Sequence, residues 1–421
     1  MEVKDTVAGS AQKAAPGQAA APSPTAQPDG AMARDLPFPP QYGSELLVME
    51  RGRGVWLEDA AGKRYLDFAG GIAVNALGYG RADLARTAMK QMRKLSHISN
   101  LFTTRPALAL ARAMLARGPY QFSSVFFANS GSEANEAALK YARLHSLRTK
   151  GAGHEKILCF SGAFHGRTLG ALSCTPTPKY QDPYQPLVPG IVVAPYNDVA
   201  ALRAALTSEF AGVIVEVVQG EGGLAVMTRE FAAALNEGCR AAGAILIADE
   251  VQTGLGRTGT LYASEGVGLQ PDIITLAKPL AGGLPLSAAL IPPKVHQLIH
   301  LGDHGTTFGG GPVTTAVAGE VWKVLSAPAF ISRVAELGDF LGQGLVRLQA
   351  ASPKVGALLG RGLLRGFEYK GGEVRDLLAR VQKAGLLVLR SGTNAVRIAP
   401  PLVISEKQIT QGLTIIQEAL A

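Results

Sequence analysis

Residues 244–250 read AILIADE, an uninterrupted apolar run that ends in two carboxylates. A short apolar run without polar alternation is typical of a strand buried on both faces, as in a parallel sheet covered by helices. Comparable runs, separated by amphipathic helical stretches, lie at residues 124–128, 156–160, 191–194, 212–217 and 272–276. Strands that alternate with helices in this manner predict an α/β fold built on a mostly parallel sheet.

The composition along the chain predicts four parts. Residues 1–35 are mostly Ala, Pro, Gln, Ser and Gly. We expect a disordered extension there, because such a segment cannot bury enough apolar surface to offset its ordering entropy. Residues 36–90 are interpreted as the N-terminal segment of a small domain, and residues 91–314 as a large domain that contains the sheet. Residues 315–421 complete the small α+β domain.

The overall composition is that of an ordinary globular protein, with 47% apolar residues and a formal net charge of +8 over 421 residues. The chain has no long Lys/Arg run and no basic stretch with interleaved aromatic residues, so we expect no nucleic-acid partner. The positive charge instead fits anionic small molecules or an acidic protein partner.

Three further features concern the compartment. The cysteines at positions 159, 174 and 239 are too scattered for a disulfide framework, which favours a reducing cytoplasm. The early acids Glu2 and Asp5 make a targeting peptide the weaker interpretation of the N-terminus. No apolar run is long enough to span a membrane, and the histidines show no metal-ligand spacing. We therefore expect a cytoplasmic protein that uses neither a metal ion nor a membrane.

Polar residues that could take part in binding or catalysis follow directly after three of the apolar runs. After the run at 124–128, the stretch NSGSEANE at 129–136 opens a helix. Small hydroxyl residues and a glycine at a helix start present free N–H groups, which suit a phosphate group. Ser130 and Glu133 also form a capping-box pattern, which is the more common explanation of such a stretch taken alone.

The other two positions are an acid and a lysine. Asp249 follows the run at 244–248, where open α/β sheets place ligand contacts, although it could also cap a helix or bind a metal. Lys278 follows the run at 272–276, and a lysine in so apolar a context is costly unless it is neutralised, paired or covalently used. Most lysines are solvated surface charges. Together, however, an anion site, an acid and an amine match what pyridoxal phosphate requires.

From about residue 45 to its end, the chain resembles the class III, fold-type I aminotransferases that depend on pyridoxal phosphate, and within them the acetylornithine aminotransferases. The resemblance implies a large domain with a mostly parallel sheet covered by helices, and a smaller α+β domain. It rests on the order and spacing of the motifs at 129–136, 164–168, 219–223, 249–259, 277–280, 304–310 and 396–401.

The resemblance implies how the phosphate of the cofactor is held. Ser130, Gly131 and Ser132 would form the phosphate site within one subunit. Thr307 would contribute from the neighbouring subunit, so that the protein would be a homodimer with shared active sites.

The resemblance also assigns the remaining cofactor contacts. Phe164 would stack on the pyridine ring, and His165 belongs to the same cofactor-binding motif. Asp249 would pair with the ring nitrogen, and Gln252 would lie near the ring hydroxyl. Lys278 would form a Schiff base with the cofactor and then act as the base that moves the proton.

Three charged residues resemble those that choose the substrates. Arg397 resembles the residue that clamps the α-carboxylate of glutamate, a role that suits the forked guanidinium. Glu221 resembles the residue that masks this arginine when the ω-amine donor is bound. Arg167 resembles the residue that takes the distant α-carboxylate of acetylornithine. For each arginine a plain surface role is the alternative.

The chain departs from the family pattern at three positions. Val217 replaces the proline of a Glu-Pro pair, and Gly311 replaces a common asparagine; neither position carries a catalytic group. Ile72 stands where ornithine aminotransferases carry a tyrosine that meets the free α-amino group of the substrate. Isoleucine cannot make that hydrogen bond, which favours a substrate with a blocked amine.

The sequence therefore predicts an enzyme of arginine biosynthesis that moves the δ-amino group of N-acetylornithine to 2-oxoglutarate. One alternative substrate is an aminoadipate semialdehyde or lysine amine linked to an acidic carrier protein, as in lysine biosynthesis. Ornithine, 4-aminobutyrate and succinylornithine are further alternatives. A decarboxylase or an aminomutase is disfavoured, because the pair Glu221 and Arg397 is useful only to an enzyme that binds two substrates in turn. A cofactor-free binding or regulatory protein is a third alternative, which predicts no visible aldimine absorbance in the purified protein.

Overall fold

The structure is a computed structural model that describes residues 36–42 and 46–421, together with the backbone of residues 32–33. The predicted disorder of residues 1–35 lies outside the described residues, apart from that pair. The strands in chain order are β1 (Met32–Ala33), β2 (Leu46–Leu47), β3 (Met49–Arg53), β4 (Trp56–Asp59), β5 (Arg64–Asp67), β6 (Ser124–Ala128), β7 (Lys156–Phe160), β8 (Ile191–Ala194), β9 (Phe210–Glu216), β10 (Ile245–Asp249), β11 (Ile273–Leu276), β12 (Ser287–Ile291), β13 (Val355–Arg361), β14 (Leu364–Tyr369), β15 (Leu386–Leu387), β16 (Leu389–Ser391) and β17 (Ala395–Ile398).

Helices follow most of these strands, and two short 3-10 turns lie at Pro40–Tyr42 and Asp182–Tyr184. The helices are α1 (Gly70–Ala73), α2 (Ala82–Lys94), α3 (Arg105–Leu115), α4 (Gly131–Lys150), α5 (Leu169–Ser173), α6 (Pro178–Gln181), α7 (Val199–Ala205), α8 (Arg229–Ala242), α9 (Ala263–Val267), α10 (Pro293–His296), α11 (Pro312–Leu325), α12 (Pro328–Ala351), α13 (Val374–Lys383) and α14 (Glu406–Leu420).

The largest sheet has seven strands in the order β6-β12-β11-β10-β9-β7-β8. Strands β11, β10, β9, β7 and β8 run parallel to one another. Strand β12 runs antiparallel to both of its neighbours, β11 and β6. The predicted α/β fold with a mostly parallel sheet is confirmed. The antiparallel strand β12 was not among the predicted strands.

The apolar runs of this sheet are buried because both faces are covered. In β10, Leu246 and Ala248 pack into one hydrophobic cluster, whereas Ile245 and Ile247 pack into another. Successive side chains of a strand point to opposite faces, so the two clusters lie on opposite sides of the sheet. Every residue of β9, β10, β11 and β12 is buried. This explains why the run at 244–250 lacks polar alternation until its final carboxylates.

Two four-stranded sheets lie outside this core, in the orders β13-β14-β17-β16 and β15-β5-β4-β3. The first is antiparallel throughout. In the second, β15 near the C-terminus pairs in parallel with β5 near the N-terminus, with Leu386 opposite Leu66. Strands from the N-terminal and the C-terminal parts of the chain therefore lie in one sheet. The domain boundaries themselves stay a prediction. No helix within residues 36–42 and 46–421 is both long and apolar enough to cross a membrane.

Candidate active site

A cavity of about 340 Å³ lies where the carboxyl ends of the parallel strands meet. Its lining includes residues 129–132 after β6, Asp249 at the end of β10, and Lys278 after β11. Parallel strands bring their carboxyl ends to one edge of the sheet, which is where open α/β folds bind ligands. The sheet thus brings together the three polar positions that the sequence analysis singled out.

The first wall of the cavity is the N-terminus of α4. Ser130 caps the helix, because its Oγ accepts the Glu133 amide at 3.3 Å and its own amide donates to Glu133 at 2.7 Å. The capping box is therefore present. The next two amides, of Gly131 and Ser132, have no acceptor among the described residues and line the cavity. A helix start with two free N–H groups and two serine hydroxyls is suited to a phosphate group.

Asp249 lies at the floor of the cavity and is only 4% exposed. Its Oδ2 accepts hydrogen bonds from Asn135 Nδ2 at 2.8 Å and from the Nδ1 of His165 at 2.7 Å, and its Oδ1 accepts the Val251 amide at 3.0 Å. The hydroxyl of Thr275 donates to Asn135 Oδ1 at 2.7 Å, which fixes the orientation of that amide. These contacts supply the buried carboxylate with hydrogen-bond donors and fix its orientation.

The sequence analysis missed Asn135 and Thr275. Asn135 lies within the 129–136 motif, one helical turn after the free amides, and α4 therefore directs it to the same side as the phosphate site. Thr275 is the residue of β11 that pairs with Asp249 across the sheet. Both signals are visible only once the neighbouring strands are known.

His165 is buried and links two segments of the site. Its backbone amide donates to Thr175 Oγ1 at 2.8 Å, and its Nδ1 contacts Asp249. Burial alone would lower the pKa of the imidazole, but the hydrogen bond and charge of Asp249 raise that pKa above its ordinary value. Its Nε2 is buried without a hydrogen-bond partner in the described part of the chain.

Glu216, at the end of β9, is a second buried carboxylate beside Asp249, its partner in the sheet register. It accepts the Phe164 amide at 2.9 Å and the Gly220 amide at 3.3 Å. Burial raises the pKa of this carboxyl above its ordinary value, while His165 acts in the opposite direction. Glu216 therefore holds the segment with Phe164 and the loop with Glu221 close to the cavity, a role that the sequence did not indicate.

Lys278 follows β11 and lines the cavity with its half-buried side chain. Burial lowers the pKa of its ammonium group; the charge of Asp249 opposes this shift and that of Arg397 adds to it. A lowered pKa favours the free amine, which is the form that attacks a carbonyl group.

The residues around the cavity fit pyridoxal phosphate. The donor set at the start of α4 suits its phosphate, the Asp249 carboxylate suits a protonated ring nitrogen, and the Lys278 amine suits its aldehyde. Phe164 lines the same cavity. Gly166 lets that segment approach closely, because a Cβ there would lie 2.2 Å from Ser132 Oγ.

Arg397 approaches the cavity from β17 and is 3% exposed. Its Nη1 donates to Glu221 Oε1 at 2.6 Å, to Gly220 O at 2.7 Å and to Gln252 Oε1 at 3.4 Å. Its Nε is buried and has no partner among the described residues. The structure therefore brings Glu221, Arg397 and Gln252 together through Nη1 of the guanidinium, and its buried Nε is left without a partner among the described residues.

Arg167 lies at the exposed rim of the site, next to Ser132 of the helix start. Its guanidinium carbon is 3.7 Å from the ring centroid of Tyr180 and 5.6 Å from that of Phe164. No acid pairs with Arg167 in the described part of the chain. The guanidinium is therefore available to an anionic group that enters the site.

Like Arg167, Glu221 and Arg397, which lie beside it, Thr307 and Ile72 are not among the residues that line this cavity. Thr307 lines a second cavity of about 420 Å³ together with Asn129 and Glu133. Ile72 lies in α1 and is 48% exposed.

The four residues of α1 have φ angles between 59° and 63°, so this element is a left-handed turn. That conformation is strained for a β-branched side chain such as Ile72. The turn is held by Asp67, whose Oδ1 accepts the amides of Ala69 at 2.8 Å and Gly70 at 2.9 Å. Val74, directly after the turn, does line the cofactor-sized cavity.

The family model described as "Aminotransferase class-III" matches residues 38–420. Among curated relatives, a probable mitochondrial acetylornithine aminotransferase of Dictyostelium discoideum is 43% identical, over 89% of this chain and 83% of its own length. A succinylornithine transaminase of Yersinia enterocolitica is 41% identical, over 89% of this chain and 92% of its own length.

The fold also matches solved structures. An ornithine aminotransferase from Toxoplasma gondii superposes with a TM-score of 0.84 at 31% identity, covering 89% of this chain and 90% of that one. Its structure is described as showing partial occupancy of PLP at the active site.

Proposed function

The chain belongs to the class-III aminotransferases, which depend on pyridoxal phosphate, and on that premise we propose that it moves the δ-amino group of N-acetylornithine to 2-oxoglutarate. The products are N-acetylglutamate semialdehyde and L-glutamate. The acetylornithine aminotransferases among its relatives support this choice of substrate. The reaction belongs to arginine biosynthesis.

The ion pair between Glu221 and Arg397 carries the proposal. A transaminase of this kind binds glutamate by its α-carboxylate in one half-reaction and an ω-amine, without a carboxylate at that place, in the other. Arg397 pairs with Glu221 at 2.6 Å, and its buried Nε has no partner among the described residues. This arrangement suits both the binding of glutamate and the binding of the ω-amine. The α-carboxylate of glutamate displaces Glu221 and binds the guanidinium of Arg397, whereas the ω-amine leaves the ion pair between Glu221 and Arg397 intact.

The donor is bound at the opposite rim in this proposal. Arg167 takes the α-carboxylate of N-acetylornithine, and its exposed, unpaired guanidinium supports that role. The acetylated amine needs no charged partner. Ile72, which carries no polar group, is consistent with a blocked amine near the entrance.

Pyridoxal phosphate supplies an aldehyde that takes the amine nitrogen and a ring that withdraws electrons from the neighbouring carbon. Ser130, Gly131 and Ser132 hold its phosphate, and Asp249 keeps the ring nitrogen protonated, because Asn135 and His165 hold this carboxylate in place.

Lys278 Nζ would take the proton from the carbon that bears the substrate amine and pass it to the aldehyde carbon of the cofactor within the same half-reaction, and the second half-reaction would run this transfer in reverse. Phe164 and Gln252 would flank the ring, consistent with their places in the lining. Glu216 keeps both flanking segments in position.

A homodimer with shared active sites belongs to the same proposal. Thr307 lies outside the phosphate site of its own chain and lines a neighbouring cavity, which is compatible with service to a second subunit. Cytoplasmic localisation likewise stays a prediction. A carrier-linked substrate stays the alternative that the net charge of +8 favours only weakly.

N-succinylornithine is a second candidate donor, favoured by the 41% identity to a succinylornithine transaminase. The two donors share the α-carboxylate and the δ-amine and differ in the acyl group, so Arg167 and Lys278 would serve both.

Steady-state kinetics with a panel of amine donors tests the proposal. We expect kcat/KM for N-acetylornithine or N-succinylornithine to exceed that for ornithine and 4-aminobutyrate by about a hundredfold, since ornithine brings a charged α-ammonium group that Ile72 cannot pair, and 4-aminobutyrate places its carboxylate one carbon closer to its amine. Negligible turnover of N-acetylornithine, with 2-oxoglutarate as acceptor, would refute the proposed function.

A further inference from the structure

An aromatic contact at the rim of the cavity has no role in the reaction described above. Tyr180 of α6 lies against Arg167, with the guanidinium carbon 3.7 Å from the ring centroid. A separation this short is reached only over the face of the ring, since an approach from the edge would bring atoms into overlap. Tyr180 also meets Phe164 edge to face, with ring centroids 6.4 Å apart at 85°. One ring therefore contacts both the arginine of the rim and the aromatic wall of the cavity.

This contact leaves the hydrogen-bonding edge of Arg167 free. The N–H donors of a guanidinium lie in its plane, whereas its cation–π contact uses the face. Within the described residues, only the backbone amide of Arg167 makes a hydrogen bond, to Ser132 Oγ at 3.2 Å. Tyr180 thus restricts the guanidinium without consuming the donors that a carboxylate needs.

The ring of Tyr180 is itself held by a chain of contacts that leads back to the phosphate site. Gln181 donates to two backbone carbonyls of α5, at 2.9 and 3.2 Å. Two amides at the start of α5 donate to Glu136 of α4, at 2.8 and 3.1 Å. Gly170 permits this approach, because a Cβ there would lie 2.3 Å from Glu136 Oε2. Tyr180 is therefore fixed relative to the helix that begins with the phosphate-binding residues.

We propose that Tyr180 is a positioning residue for the amine donor: its ring fixes the Arg167 guanidinium at a set distance from Lys278, so that the site selects N-acylated amino acids by the length between carboxylate and ω-amine. The inference rests on the proposed function, because it assigns the distal carboxylate to Arg167. Within one substrate, the number of methylene groups sets that length. An arginine free to swing would accept several lengths, whereas a fixed one rewards a single length.

The test uses a ligand that can bind Arg167 but has no amine to react with the cofactor. N-acetylnorvaline carries the α-carboxylate and the acetyl group but no ω-amine, so it binds the holoenzyme without reacting. We expect Tyr180→Leu to weaken its binding about five- to tenfold, the effect of losing one cation–π contact at a partly exposed site. Tyr180→Phe keeps the aromatic face and should bind like the wild type. Isothermal titration calorimetry measures both.

A double-mutant cycle separates positioning from general loss of structure. Arg167→Met should weaken N-acetylnorvaline by itself, and Tyr180→Leu should add no further loss in that background. The half-reaction with n-butylamine, which has an ω-amine but no carboxylate, followed as a single turnover by cofactor absorbance, should stay within about twofold of wild type in every Tyr180 variant, because this amine has no group for Arg167 to bind.

The inference is overturned if Tyr180→Leu binds N-acetylnorvaline as the wild type does, or impairs the n-butylamine half-reaction to the same extent. Should Tyr180→Leu fail to fold, Tyr180→Met provides the second variant, since methionine fills a similar volume without an aromatic face. Its expected loss is again about five- to tenfold, and unchanged binding would overturn the inference. A wild type without turnover of N-acetylornithine refutes the proposed function and this inference together; turnover with insensitive Tyr180 variants refutes the inference alone.

Discussion

The two arginines of the site are held in opposite ways. Arg397 is 3% exposed, and its Nη1 donates to Glu221 at 2.6 Å and to Gly220 O at 2.7 Å. Arg167 is exposed and rests on Tyr180, with no acid partner among the described residues. A buried cation needs a partner in the free protein because an unpaired buried charge is costly, whereas water serves the exposed cation. A substrate must therefore displace an acid at Arg397 but only water at Arg167.

The largest expected effect is that of replacing Lys278, the amine proposed to act on both substrates. Lys278→Ala should reduce both half-reactions by about a thousandfold or more, because the same amine would move the proton in each. Single-turnover absorbance with N-acetylornithine and with L-glutamate measures the two separately. If one half-reaction survives in Lys278→Ala, the two arginines do not direct their substrates to the same catalytic amine, and the comparison between them fails.

Removal of each arginine should damage one half-reaction more than the other. Arg397→Met should lower kcat/KM for L-glutamate roughly a hundredfold and leave N-acetylornithine within about fivefold, because a charge-assisted, bidentate contact is lost. Arg167→Met should instead harm N-acetylornithine more than L-glutamate, which keeps its α-carboxylate contact with Arg397. Equal losses for both substrates in either variant would contradict the assignment of one carboxylate to each arginine.

The acid at Arg397 should matter less than the arginine itself. Glu221→Gln should lower kcat/KM for N-acetylornithine about fivefold and reduce KM for L-glutamate, because glutamate no longer competes with a carboxylate. Glu221→Asp, which keeps the charge, is the control. Unchanged selectivity between the two substrates in Glu221→Gln would mean that the ion pair does not switch.

The smallest expected difference is one of stability. Arg397→Met leaves Gly220 O and Glu221 without their donor, so the melting temperature should fall by a few degrees, corresponding to about 1–3 kcal/mol. Arg167→Met removes an exposed side chain and should change the stability by less than about 0.5 kcal/mol. Differential scanning calorimetry compares them, and an equal fall in both would show that Arg167 supports the fold as much as Arg397 does.

The sequence predicted the parts of the fold and site that depend on local pattern. The apolar runs identified the parallel strands, and the polar residues after them identified Lys278, Asp249 and the start of α4 as neighbours in space. These predictions succeed because parallel topology sends all carboxyl ends to one edge.

The missed features depend on partners that are distant in sequence. Asn135 reaches Asp249 across 114 positions, and no local pattern marks that pairing. The direction of β12 is set by β6 and β11 on either side, not by its own apolar residues. The left-handed conformation of Ile72 was also missed, although its cause is local: Asp67, five residues earlier, accepts the amides that hold the turn.

The parallel pairing of β5 with β15 has a consequence for synthesis on the ribosome. Leu66 is made about 320 residues before its strand partner Leu386 (386 − 66). The seven-stranded sheet, whose strands end at Ile291, can fold while β5 still waits with an unpaired edge. A nascent chain released before residue 386 would carry that edge exposed, and so would be prone to pairing with strands of other chains.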